Sequence, residues 1–127
     1  SETRVALGTL SGTVTVNYAA GSYQTVTTGG SISLGFSNFT TAGTLSSVTV
    51  RITVASTAHT VTLPAASSFT GREIKILNYQ AFTVVSASSN VVPLTGGAAG
   101  TAILAATVGK WATLVSDGTN WVIMQAN

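Results

Sequence analysis

The chain has 127 residues, of which 6% are charged and 45% are apolar, and its formal net charge is +2. Ordinary globular domains carry about 25% charged residues. The surface therefore provides little electrostatic repulsion between copies, and we expect much of it to be covered in an assembly. The chain contains no cysteine, which excludes disulfides and thiolate metal sites, and it contains no apolar run of membrane-spanning length.

Hydroxyl side chains supply most of the polarity that the charged residues do not. The sequence contains 22 threonines and 15 serines, whereas Glu, Lys, Gln and Arg are scarce. Threonine favours strands, and the scarce residues are the strong helix formers. The composition therefore predicts an all-β chain.

Three segments in the first half alternate apolar and polar residues with a period of two, which is typical of strands with one buried face. The clearest is "SVTVRITV", and the pattern resumes in "HTVTLP" until Pro64 ends it. The apolar members are Val14, Val16 and Tyr18, then Ile32, Leu34 and Phe36, then Val48, Val50, Ile52 and Val54.

The second half adds shorter segments of the same kind, separated by turns rich in glycine, serine and asparagine. Eight to ten short strands at spacings of about 8–12 residues predict an antiparallel β-sandwich or jelly roll. We expect one domain over residues 1–127, with 1–12 as a candidate N-terminal arm, and no convincing internal repeat. The additional strands are expected at residues 73–77, 81–86, 102–104, 111–116 and 121–125.

The last two strands are expected to form a hairpin around the turn "DGTN", in which Asp117 and Gly118 favour the turn conformation. The register would place Leu114 opposite Ile123 on one face and Val115 opposite Val122 on the other. Both faces of the hairpin are then apolar. One face can meet the core, and the other requires a second layer or a neighbouring subunit.

Few residues are available for acid–base or metal chemistry. The acids are Glu2, Glu73 and Asp117, and the one imidazole belongs to His59. A serine with His59 and Asp117, or Glu73 paired with Asp117, is the most that could be assembled. Asp117 is better explained as a turn residue, and Glu73 with Lys75 as an ion pair on one strand face. We expect no enzyme, no metal and no cofactor.

Six residues are candidates for an interface or for contact with a glycan: Phe69, Tyr79, Trp111, Trp121, Val122 and Met124. Large aromatic side chains in a β protein with few charges serve as core or interface anchors more often than as a sugar platform. The five basic residues are dispersed along the chain, so we expect no nucleic-acid partner. They are Arg4, Arg51, Arg72, Lys75 and Lys110.

The stretches "SISLGFSNFTTAGTLSSVTVRIT", "HTVTLP", "GREIKILN" and "GKWATLVSDGTNWVIM" resemble the β-rich modules of tailed-bacteriophage virion proteins. Such modules occur in tail fibres, tail-associated proteins and small capsid decoration proteins. The resemblance runs from about Ser31 to Met124, and "LVSDGTNW" is its most telling part. It implies a jelly roll or related sandwich that assembles as a homotrimer on the exterior of the particle, and it supplies no catalytic residues.

The resemblance and the composition together predict a structural protein of the virion. The first expectation is a capsid decoration, or cement, protein that binds the major capsid protein or another virion protein after assembly in the host cytoplasm. The alternative is a tail-fibre or receptor-binding module that recognises host surface glycans. The chain has no shaft, coiled coil or collagen-like repeat of the kind found in fibre proteins. Neither role involves a membrane.

Overall fold

The structure is a computed structural model that describes residues 4–38, 47–54, 60–78 and 80–127. Strands account for most of this part of the chain, and its helical segments are two single 3-10 turns, at Tyr18–Ala20 and Ala66–Ser68. No helix of the described residues is long and apolar enough to cross a membrane. The strands are β1 (Arg4–Asn17), β2 (Tyr23–Ser37), β3 (Ser47–Val54), β4 (Val61–Thr62), β5 (Glu73–Asn78), β6 (Val84–Val85), β7 (Val91–Val92), β8 (Ala102–Leu104), β9 (Trp111–Ser116) and β10 (Trp121–Ala126).

The main sheet is mixed. Its order is β1-β2-β3-β5-β9-β10-β7, with β4 also paired to β2, and β6 and β8 form a separate small sheet. The predicted all-β class is confirmed. Three strand pairs are antiparallel, as predicted: β5–β9, β9–β10 and β6–β8. The prediction is wrong for the other five pairs, which are parallel: β1–β2, β2–β3, β2–β4, β3–β5 and β7–β10. A period of two reports which face of a strand is buried and carries no information about its direction.

Three of the parallel strands, β2, β3 and β5, are stacked in a constant register. Thr49 lies opposite Tyr23, and Glu73 lies opposite Ser47, so both pairs join residues 26 positions apart. Successive strands along the chain therefore lie side by side and point the same way, as in a β-solenoid. This structural repeat has no counterpart in residue identity, because even the apolar or polar character of a stacked position changes from strand to strand. The sequence therefore predicted no repeat.

The first strand must fold over itself to make this stacking possible. A straight strand from Arg4 to Asn17 would be about 43 Å long, whereas the six residue steps from Asn17 to Tyr23 span at most about 22 Å. Tyr23 nevertheless pairs with Arg4, and Ser37 pairs with Asn17. The register shifts near Gly8 and Gly12, whose φ angles of 84° and 72° are in the region that favours glycine. These glycines mark the bend.

The bend divides the sheet into two limbs. The long limb contains residues 4–10 of β1 and 23–28 of β2, followed by β3, β5, β9, β10 and β7. The short limb contains residues 12–17 of β1, 32–37 of β2, and β4, and a bridge from Thr60 to Val85 links it to the small sheet. Two layers facing one core are consistent with the predicted sandwich.

Apolar side chains of both limbs pack into one buried cluster. The alternation predicted from the sequence is confirmed at Val14 and Val16, at Ile32, Leu34 and Phe36, and at Val48, Val50 and Ile52. Tyr18 departs from the pattern because it begins the first 3-10 turn. The side chain of Val54 lies outside the described residues.

The element boundaries also correct two expectations. Residues 1–12 are expected as a candidate N-terminal arm, but the described part, residues 4–12, lies in β1 and pairs with β2 at the edge of the sheet, because the bend returns the chain to its own first residues. The strand expected at residues 81–86 is reduced to Val84–Val85, since Gln80 to Phe82 form a bend closed by a backbone hydrogen bond. The strands at 73–77, 102–104, 111–116 and 121–125 are confirmed, two of them with one additional residue.

A buried glutamine holds the first turn of the stack. Gln24 is 1% exposed, and its Nε2 donates to the carbonyl oxygens of Asn17 at 2.7 Å and Gly21 at 3.0 Å. These carbonyls lie at the end of β1 and just beyond the 3-10 turn, where neither sheet nor helix supplies a donor. Gln24 thus replaces the missing backbone partners where the chain reverses.

We predict that Gln24→Met lowers the free energy of unfolding by about 1–3 kcal/mol, because two carbonyl groups lose their donor inside the protein. Gln125→Met is the matched control, since Gln125 is exposed on β10, and its effect should stay within about 0.5 kcal/mol. Urea denaturation of both variants measures the difference. Equal effects would contradict the role assigned to Gln24.

Candidate functional site

The C-terminal hairpin forms as the sequence predicts. Leu114 lies opposite Ile123, and Val115 lies opposite Val122. In the turn, the Asp117 carboxylate accepts hydrogen bonds from the backbone N–H groups of Thr119 at 2.8 Å and Asn120 at 2.7 Å, and Gly118 has a φ of 94°. The inner face of the hairpin is buried, while Val115 and Val122 on the outer face are half-buried.

Trp121 belongs to the core and is not a surface residue. It is 0% exposed, and its Nε1 donates to the Pro64 carbonyl at 2.8 Å. Its ring lies 6.4 Å from Phe69 and 6.5 Å from Phe36, and Phe69 is partly buried against the same core. Trp121 is therefore not accessible to a glycan or to another subunit, and Phe69 packs against it in the core. The cause is the strand alternation, which directs Trp121 inward with Ile123.

The outer face of the long limb gathers side chains that are distant in sequence. Direct pairing gives one row from Arg4 through Tyr23, Thr49 and Lys75 to Thr113. A second row runs from Ala6 through Thr25, Arg51 and Leu77 to Trp111. Neighbouring strands are about 4.8 Å apart and rows about 6.6 Å apart. We call Arg4, Arg51 and Lys75, with Tyr23 and Trp111, the cationic face.

Trp111 and Lys75 form the best-defined contact on this face. The Lys75 Nζ lies 5.4 Å from the centroid of the Trp111 ring, within the range of a cation–π interaction. Trp111 is half-buried and Lys75 is exposed. Thr113, directly opposite Lys75, is 4% exposed, and its Oγ1 is buried without a hydrogen-bond partner among the described residues. A buried hydroxyl that lacks a partner is uncommon in folded proteins.

The end of the outer face nearest the C-terminus is apolar. Val122 lies between Val115 on β9 and Val92 on β7, and all three are half-buried. Farther along the chain, Met124 lies at a register shift of β10 and is 57% exposed, and Leu94, two residues after β7, is 54% exposed. We call these five residues the apolar strip. Burial of such surface is favourable at about 25 cal/mol per Å², so the strip is suited to association.

The remaining predicted candidates do not converge on a chemical site. Tyr79, His59 and Glu2 lie outside the described residues. Glu73 lies on the outer face opposite Val115, while the Asp117 carboxylate is bound within its own turn. In the part of the chain that the structure describes, no three His, Cys, Asp or Glu side chains lie close enough to hold a metal ion.

Sequence reading missed the cationic face because Arg4, Arg51 and Lys75 appear dispersed along the chain. The topology places them on one side of one sheet. The 26-residue spacing between paired residues could have indicated part of this arrangement, because it places Arg51 opposite Leu77, which lies on the same face of β5 as Lys75. The alternation by itself predicted only that Lys75 faces away from Ile74 and Ile76.

Comparison with protein-family models, with curated proteins and with solved structures finds no match to this chain. The geometry of the outer face, together with the sequence pattern, therefore carries the functional argument.

The two tryptophans should respond differently to substitution. We expect Trp121→Ala to lower the free energy of unfolding by about 3–5 kcal/mol, because it removes the centre of an aromatic cluster. Trp111→Ala should cost about 1 kcal/mol, since only part of that side chain is buried. Denaturant titration of both variants measures this contrast, and a larger loss for Trp111→Ala would contradict the placement of the two rings.

The turn should make the stability of the fold depend on pH. Backbone hydrogen bonds from Asn120 and Thr119 hold the pKa of Asp117 below its ordinary value of 3.8. Because the folded pKa is lowered, this carboxylate stabilises the fold above pH 3.8 and ceases to do so as the pH falls through the lowered pKa. Asp117→Asn should lower the thermal midpoint at neutral pH, and the gap from wild type should shrink in strong acid.

The comparison with Asp117→Asn isolates the contribution of Asp117, because the two proteins differ at that residue alone. A gap that stays constant from neutral pH into strong acid would contradict a stabilising role for the ionised Asp117.

Proposed function

We propose that this chain is a structural protein of a bacteriophage particle, and specifically a capsid decoration protein that binds the exterior of the shell as a homotrimer. The observation that carries the proposal is the apolar strip on a hairpin whose other face is already buried in the core. An apolar outer face in a chain with 6% charged residues favours burial between subunits over exposure to water.

The chemistry of the outer face suits a permanent contact. Obligate assemblies bury about 2,000 Å² or more and rely on apolar area. Contacts made by Val, Met and Leu side chains respond weakly to ionic strength, and few titratable groups are present to make them depend on pH. A protein that reinforces a shell by such contacts would hold under changing solvent conditions.

The free edge of the sheet is less suited to association than the apolar strip. β1 pairs only with β2 among the described strands, so its other edge is open. The glycine bend and two register shifts interrupt this edge, and such irregularities discourage pairing with a strand of another molecule. This contrast supports assembly through side chains of the strip.

A second candidate function is a tail-fibre or receptor-binding module that recognises host glycans. Trp111 favours it, because a half-buried indole on an exposed sheet face is available to contact a ligand. Particle copy number separates the two roles: we expect a decoration protein in hundreds of copies and a tail module in few.

We predict that Met124→Lys prevents assembly without unfolding the chain, because it places a charge on the apolar strip at a side chain that is already exposed. Val108→Lys is the matched control, since Val108 is 59% exposed but lies in the loop before β9. Light scattering should give a trimer for wild type and Val108→Lys, and a monomer for Met124→Lys. A wild-type monomer at high concentration would contradict the proposal.

The cement role has its own measurement on particles. Phage particles stripped of the protein should lose resistance to heating, and adding wild-type protein or Val108→Lys should restore it, whereas Met124→Lys should not. Unchanged melting of stripped particles would overturn the decoration role and leave the tail module as the better explanation.

A further inference from the structure

We propose that the cationic face is a binding site for acidic saccharides, in which Trp111 packs against a sugar ring and Lys75, with Arg51, binds a sugar carboxylate. The basis is the juxtaposition of Trp111, Lys75 and Arg51 on the outer side of the long limb, which the fold creates from residues up to 60 positions apart. Lys75 is exposed there, and Trp111 and Arg51 are half-buried. The site goes beyond the assembly role, because it uses a different part of the outer face from the apolar strip.

The charge of this face selects for anions. Three of the five basic residues of the chain lie on it, and Glu73 is the one acid among its described strand residues. Arg51 and Lys75 are on adjacent strands and adjacent rows, about 8 Å apart at the backbone. Side chains of their length can converge on one carboxylate, and a guanidinium can bind it through two parallel hydrogen bonds.

The contact between Lys75 and Trp111 supplies the second element of the site. An indole ring offers a large flat apolar surface for the C–H face of a sugar. A ligand carboxylate that draws the Lys75 ammonium away from the ring would expose this surface at the moment of binding. The same movement would open the space over Thr113, whose Oγ1 lacks a partner and could then bond to a sugar hydroxyl.

The surrounding residues favour a saccharide over a nucleic acid. Thr49 is half-buried within the first row, and its hydroxyl group can both donate to and accept from sugar hydroxyls. Nucleic acids carry a phosphate at every residue and are bound by closely spaced cations and several stacking rings. Three cations dispersed over five strands match the lower charge density of an acidic polysaccharide.

The test is a glycan array that contains oligosaccharides of uronic and sialic acids beside the same compounds with the carboxyl group reduced to an alcohol. We expect wild-type protein to bind carboxylated members about tenfold or more tightly than their reduced counterparts, with affinity that falls as salt is added. Lys75→Gln and Trp111→Ala should each weaken binding about tenfold.

Lys110→Gln is the charge-matched control. It removes one positive charge, but the Lys110 Nζ donates to the Asn127 carbonyl at 3.2 Å and lies outside the two rows, so binding should change less than about twofold. An equal loss in Lys110→Gln, equal binding of reduced saccharides, no binding of any carboxylated member, or tighter binding of a single-stranded oligonucleotide would overturn the proposal.

The assembly measurement keeps this proposal separate from the structural role. Lys75→Gln leaves the apolar strip intact, so it should still form the wild-type oligomer and restore the heat resistance of stripped particles. Failure of saccharide binding with normal assembly would remove only the site, whereas failure of assembly in wild type would remove only the cement role.

Discussion

The constraint on which the structure depends is the reversal of the chain between stacked parallel strands. Parallel neighbours need a connection that returns the chain to its starting side, and most proteins provide it with a helix. Here β1 bends at glycines, and the Gln24 amide donates to the carbonyls of Asn17 and Gly21 where the chain reverses into β2. At the end of β5, where the chain leaves the parallel strands, the Asn78 amide donates to the carbonyls of Phe82 at 2.6 Å and Ala105 at 3.2 Å. Both amides are almost completely buried, so side-chain hydrogen bonds satisfy backbone groups at these two places.

This means of connection also adds no α-helix to the outer face of the long limb in the part of the chain that the structure describes. Parallel sheets in α/β proteins are covered on both sides and are apolar on both sides. In this chain the inner residues of the long limb are mainly Val, Ile and Leu, with Gln24 among them, whereas the outer ones on β2 and β3 are mainly threonine, with Arg51 among them. Where β2, β3 and β5 form the sheet, Lys75 is exposed, most other outer side chains are half-buried, and Thr25 is buried. Only toward β9, β10 and β7 do valines replace the hydroxyl residues, which locates the apolar strip.

The sequence predicts the features that are set by residues close together in the chain, and it does not predict those that are set by residues far apart. The hairpin register was predicted to the residue, because a local turn with Asp117 and Gly118 sets it. The buried face of each long strand was also predicted, since alternation depends only on neighbours two positions apart. Strand direction, the bend of β1 and the gathering of Arg4, Arg51 and Lys75 depend on pairing across 18 or more positions, and no local pattern reports them. Trp121 illustrates the difference: its residue type predicts a core or interface anchor, and its place in β10 assigns it to the core.

The division of the outer face gives a physical reason why one small chain could both assemble and recognise a ligand. Apolar contacts are strong, permanent and insensitive to salt, so they suit a bond to copies or to a shell. Contacts through Lys75 and Arg51 are reversible and weaken with salt, so they suit a ligand encountered at the particle surface. If the valines and the cations were mixed on one surface, assembly would bury unpaired charges at high cost. Their separation along the same sheet, with the apolar strip toward β7 and the cationic face toward β1, allows the first surface to be covered while the second stays in water.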